Sequence, residues 1–106
     1  MIPWCTAHGT AVVAYTPFGL TPSLYEDAAP GRVLRMIAAS HGATPRQVAL
    51  AFLLRLPNLF VIPKAARVAH VEENAAAGGL TLGAEEFARL EAAFPRGKPP
   101  RTLPTV

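Results

Sequence analysis

The chain has 106 residues, of which 51 % are apolar and 16 % charged, a balance that excludes a disordered polyelectrolyte and describes one folded domain with a modest core. The net charge is +3, but the last eleven residues, RGKPPRTLPTV, hold Arg96, Lys98 and Arg101 and no acid, leaving seven basic and seven acidic residues elsewhere. The positive balance therefore belongs to a tail rather than to a basic face, which excludes a nucleic-acid surface.

In chain order, MIPWCTAHG reads as the last turns of a helix closed by Gly9, a natural C-cap. Cys5 is the only cysteine, so no internal disulfide can form; it reads as a small half-buried apolar residue in a reducing compartment. Ala11 to Tyr15 reads as a short strand, apolar on both faces as in a covered parallel sheet and stopped by Pro17 and Gly19. Residues 20–30, LTPSLYEDAAP, read as a loop. Arg32 to His41 is predicted helical from the spacing of Val33, Leu34, Ile37 and Ala38, with Gly42 closing it. Thr44 to Gln47 carries an N-cap, a proline at the first helical position and a capping-box glutamine. The helix that follows has a predicted buried stripe of Val48, Ala49, Phe52, Leu53 and Leu56, and Pro57 ends it. LFVI (59–62) is a second short apolar strand. Arg67 to Ala77 is predicted helical up to Gly78-Gly79, and a last helix runs from about Ala84 to Phe94 with Phe87, Leu90 and Phe94 inward. Residues 95–106 form a proline-rich tail. No apolar run approaches the ~20 residues of a membrane span, and no secretory leader is visible, so the chain reads as soluble and cytoplasmic.

Two apolar strands separated by helices point to an α/β fold with a parallel pair. Two strands alone leave both sheet edges open, so the pair reads as a piece of a larger sheet.

The chemistry concentrates in VIPKAARVAHVEEN, residues 61–74. Pro63 to Ala66 lie at the carboxyl end of the second strand, where α/β folds place their ligands. Arg67 opens the next helix, whose first N–H groups favour an anion. Lys64 adds a point charge and Arg67 a planar fork. His70 follows one turn on, and Asn74 lies on nearly the same helix face. That set suits a phosphate with an attached nucleoside; the competing reading is an ordinary solvated helix start. Tyr15, at the end of the first strand, either stacks on a flat ring or caps the core.

VVAYTPFG followed by TPRQVALAFLL, VIPKAARVAHVEEN and LTLGAEEFARLEAAFP resembles, in order and spacing, the C-terminal part of bacterial aldo-keto reductases. The resemblance implies a C-terminal portion, residues 1–94, of a TIM-type (β/α)8 barrel contributing its seventh and eighth strands, starting within what would be the sixth helix. It implies NADPH-dependent reduction of aldehydes or ketones. Tyr15 would stack on the nicotinamide, and Thr16, Pro17, Phe18, Gly19 and Leu20 would run along the pyrophosphate. Lys64 would pair with the 2′-phosphate, with Ala65 beside it and Arg67 supplying some of the charge of the arginine that many members have at His70, and Glu73 and Asn74 would hold the adenine end. Many members have serine or threonine at the position of Ala65 and arginine at that of His70, so NADH stays open as an alternative cofactor. The family's catalytic Asp, Tyr, Lys and His come from the first half of the barrel and match no residue here. The chain alone is expected to be inactive. The alternatives are a non-catalytic nucleotide-binding or interaction module that needs a partner chain, and a relic without function.

Overall fold

A computed structural model describes residues 1–18, 29–95 and 97. Among the described residues five α-helices and two strands follow one another as α1 (Ile2–Ala7), β1 (Val12–Ala14), α2 (Ala29–His41), α3 (Pro45–Leu54), β2 (Leu59–Val61), α4 (Val68–Ala76) and α5 (Ala84–Ala93), with a short 3₁₀ turn at Ala77–Gly79. The expected α/β class and the parallel pairing are both present. The expected loop at 20–30 and the tail at 95–106 lie mostly outside the described residues.

Two helices end as their glycines demand. Gly9 and Gly42 have φ of 63° and 61°, a conformation that costs a residue with a Cβ about 1–2 kcal/mol. At α1 the Thr10 N–H donates to the Cys5 carbonyl (2.8 Å) and the Gly9 N–H to that of Thr6 (3.3 Å). At α2 Ala43 donates to Ala38 (2.9 Å) and Gly42 to Ala39 (3.3 Å). Both are Schellman closures that satisfy carbonyls a helix end would otherwise orphan. Gly78 and Gly79 act differently, because neither turns left-handed; α4 tightens into the 3₁₀ turn instead.

Some expected boundaries shift. α2 begins at Ala29, earlier than Arg32, and takes in Pro30, because a proline in the first turn lacks only an N–H that is unpaired there anyway. Arg67 is the N-cap of α4 rather than its first helical residue. The capping box of α3 forms as read: the Thr44 hydroxyl oxygen accepts from the Gln47 N–H (3.3 Å) and Gln47 Oε1 from the Thr44 N–H (3.0 Å).

β1 and β2 pair in parallel with Val12, Val13 and Ala14 opposite Leu59, Phe60 and Val61. Asn58 secures the amino end, accepting from the Val12 N–H (2.8 Å) and donating from Nδ2 to the Thr10 carbonyl (3.0 Å). At the carboxyl end the Ile62 N–H donates to the Ala14 carbonyl (2.9 Å). Among the described residues the sheet has only these two strands.

The core lies among the helices. Leu34, Ile37, Ala38, Val48, Ala51, Leu82 and Leu90 form one buried cluster, flanked by Phe18, Val33, Ala49, Phe52, Leu80, Phe87 and Phe94. Phe87 and Phe94 thus pack inward with Leu90, as the spacing predicts. α3 departs from its predicted single stripe: Leu50 and Ala51 are buried, whereas Ala49, Phe52, Leu53 and Leu56 are only half-buried. This helix packs against α2 on one side and β2, α4 and the 3₁₀ turn on others, so it is apolar nearly all round. Cys5 is buried rather than half-buried. No helix of the described residues is long and apolar enough to cross a membrane.

Candidate functional site

The register of β1 and β2 decides where the site sits. Because Ala14 is opposite Val61, residues 15–18 and 62–67 leave the sheet at the same end, the carboxyl end of both strands. Tyr15 is 64 % exposed, so the described core does not take up its ring. Thr16 is exposed, Pro17 and Phe18 are half-buried, and Phe18 packs on the edge of the core. On the other arm Lys64 is exposed, Ala65 half-buried, and Arg67 exposed at the cap of α4. Both cations are thus open to solvent at the mouth of the sheet. The first turn of α4 contains no acid, so nothing there competes for its N–H groups.

Glu73 is the polar centre of the α4 side. Its Oε1 accepts a hydrogen bond from the Thr44 hydroxyl, and its Oε2 lies 3.4 Å from His70 Nδ1. Its backbone carbonyl accepts from Gln47 Nε2 at 3.0 Å. The Thr44 hydrogen bond chiefly holds the Glu73 carboxyl below the ordinary glutamate value, with His70 and the charge of Arg46 adding to it against partial burial. Arg46 in turn lies over the Phe18 ring, 5.0 Å from its centroid. The first turn of α3 therefore reaches both arms that leave the sheet.

A family model for the aldo/keto reductases matches residues 1–94. The chain belongs to that family. Over 106 residues it is 34 % identical to methylglyoxal reductase YeaE of Escherichia coli, covering all of this chain and 37 % of that protein. It is 45 % identical over 84 residues to pyridoxine 4-dehydrogenase of Escherichia coli, which covers 74 % of this chain and 27 % of that enzyme. An aldo/keto reductase of Klebsiella pneumoniae solved with NADP and acetate superposes with a TM-score of 0.86 at 34 % identity, covering all of this chain and 38 % of that one. A Klebsiella pneumoniae aldo-keto reductase solved with NADPH has a TM-score of 0.84 at 35 % identity, over 99 % of this chain and 37 % of that one. The chain thus spans between 27 % and 38 % of the length of these relatives.

Within this aldo-keto reductase chain the expected cofactor residues fall into two groups. Tyr15 to Phe18 and Lys64 to Arg67 share one end of the sheet, whereas His70, Glu73 and Asn74 sit one to two turns along α4, all half-buried. Gly19 and Leu20 lie outside the described residues. Sequence reasoning missed the second role of Thr44 and Gln47, and the placing of Arg46. The capping box was legible, yet nothing in its spacing says which helix packs across it. Among the described residues no cluster of His, Cys, Asp and Glu is arranged to hold a metal ion.

Proposed function

We propose that this chain forms the seventh and eighth strand–helix units of a TIM-type (β/α)8 barrel and is the nucleotide-binding part of an NADPH-dependent aldo-keto reductase, which reduces an aldehyde or ketone to an alcohol. The observation that carries this reading is the parallel register of β1 and β2, which opens Tyr15, Lys64 and Arg67 at one end of the sheet. TIM barrels commonly bind phosphate after these two strands. The donor set fits the nucleotide: an exposed aromatic ring for the nicotinamide, two exposed cations for the 2′-phosphate, and the polar groups of α4 for the adenosine.

When bound, NADPH supplies the hydride. The chain's own residues bind and orient it. Tyr15 offers a ring face, Lys64 a point charge and Arg67 a fork with the α4 N-terminus behind it. Glu73 has lone pairs left for an exocyclic amine after its bonds to Thr44 and His70. Proton delivery to the carbonyl oxygen belongs to the Asp, Tyr, Lys and His of the family's first barrel half, which no residue here matches. The chain alone therefore leaves carbonyls unreduced, since general acid help is worth ~10²–10⁴-fold. Turnover of an aldehyde by the pure chain would refute that part.

Isothermal titration of the full chain tests the binding part. NADPH is expected to bind more tightly than NADH. Lys64→Met should weaken NADPH by roughly 10- to 100-fold, the worth of one charged hydrogen bond, and leave NADH unchanged. Equal affinity for the two cofactors in the unmodified chain, or an indifferent Lys64→Met, refutes the role given to Lys64.

The edges of β1 and β2, open among the described residues, with Val13, Tyr15, Phe60 and Ile62 exposed along one face, favour a second reading: a nucleotide-binding or interaction module that completes its sheet with a partner chain. A monodisperse monomer with a cooperative melt would count against it.

A further inference from the structure

No residue of α4 is fully buried, and Val68 and Val71 are exposed. Apart from the buried Ala77 at its C-cap, apolar packing therefore does little to fix how this helix is rotated, or where it points Glu73 and Asn74. Two hydrogen bonds from α3 fix it instead: the Thr44 hydroxyl donates to the Glu73 carboxylate, and Gln47 Nε2 to the Glu73 carbonyl at 3.0 Å. One bond takes the side chain and the other the backbone of the same residue, so both its position and its direction are held. The same turn of α3 carries Arg46 over Phe18, on the opposite arm.

We propose that Thr44 and Gln47 are positioning residues of the nucleotide site, holding Glu73 and Asn74 in register for the adenosine half of the cofactor. This rests on the nucleotide-binding reading above. Neither residue touches the ligand. Their effect passes through α4, where a shift of about an ångström in a binding group is costly.

The chemistry of the pair separates this role from simple helix capping. A hydroxyl donates once and accepts twice, so Thr44 caps α3 through its lone pairs while its proton goes to Glu73. Gln47 closes the capping box through Oε1 and reaches Glu73 through Nε2. Gln47→Glu keeps the box, for which glutamate serves as well, and sets a carboxylate oxygen against the Glu73 carbonyl. Thr44→Asp keeps a strong N-cap but removes the donor and faces one carboxylate with another. Thr44→Ser keeps both functions.

The test is titration of the full chain with adenosine 2′,5′-bisphosphate, with helix content followed by circular dichroism at the same temperature. Gln47→Glu and Thr44→Asp are each expected to weaken binding by about 3- to 10-fold at unchanged helix content, and Thr44→Ser to stay within about twofold. Binding by the unmodified chain that neither acidic variant alters overturns the inference and leaves the nucleotide reading standing. Loss of helix content in both acidic variants also overturns it, since the turn would then be a folding element only. No binding by the unmodified chain brings down the nucleotide reading and this inference with it.

Discussion

Leu34, Val48 and Leu90 are 1 %, 0 % and 1 % exposed, whereas Val13, Phe60 and Val68, no less apolar, stand 52 %, 57 % and 75 % exposed. The first group lies where α2, α3 and α5 meet, and each of its side chains has a neighbour on every flank. The second lies on the sheet and on α4, where each apolar face looks out from the described chain. The helical side is held by burial, at roughly 1.5–3 kcal/mol per large side chain. The sheet side is held by backbone pairing and by side-chain hydrogen bonds such as those of Asn58, Thr44 and Gln47. Those are individually worth about 0.5–1.5 kcal/mol. Of the described residues proposed for the cofactor, Phe18 packs on the edge of the core and the others leave from the second, more weakly held side, while the start of α3 ties to both through Phe18 and Glu73.

The contrast can be broken most sharply in the core. Leu90→Ala should lower stability by about 2–5 kcal/mol, read as a fall in the melting midpoint, because the cavity it leaves is closed on all sides. A loss below about 1 kcal/mol would mean that α5 does not close the core. Acid should act on the polar ties of both regions. The Gly83 N–H (2.8 Å) and His41 (2.8 Å) hold the Glu86 carboxyl below its ordinary value of 4.5, as Thr44 first and His70 after it hold that of Glu73. Since both folded-state values are lowered, the folded chain binds fewer protons than the unfolded one in this range. The stability these groups contribute is therefore complete above about pH 4.5 and is lost as the pH falls through the lowered folded values. Melting midpoints measured from pH 6 to pH 3 should fall, and Glu73→Gln with Glu86→Gln should flatten the decline. The smallest effect is expected at Val68. Val68→Ser should change stability by no more than about 0.5 kcal/mol, because the side chain is already in water. A larger loss would show that α4 is covered in solution.

Much of the local structure was legible because its causes are local. Gly9 and Gly42 announce left-handed helix closures, and Thr44, Pro45 and Gln47 announce a capped start, each within five residues. The shift of α2 to Ala29 was not, since Pro30 suits a turn and a first helical turn equally well. α3 misled because one stripe was assumed for a helix packed on several sides, and periodicity cannot reveal how many neighbours a helix has. At the site, Tyr15, Lys64 and Arg67 could be placed at strand ends from order alone. Glu73 could not be seen as the point where α3 and α4 are joined, because Thr44 is 29 residues away.

By itself, then, the sequence determined which segments are helix or strand, where two helices close, and which residues are chemically suited to an anion. Each of these follows from backbone sterics, capping and residue chemistry acting over a few positions. Only the tertiary structure decided in which register β1 and β2 pair, that Arg46 lies over Phe18, and that Thr44 and Gln47 meet Glu73 across α3 and α4. Those depend on side chains far apart in the chain, whose meeting is set by packing and has no local signature.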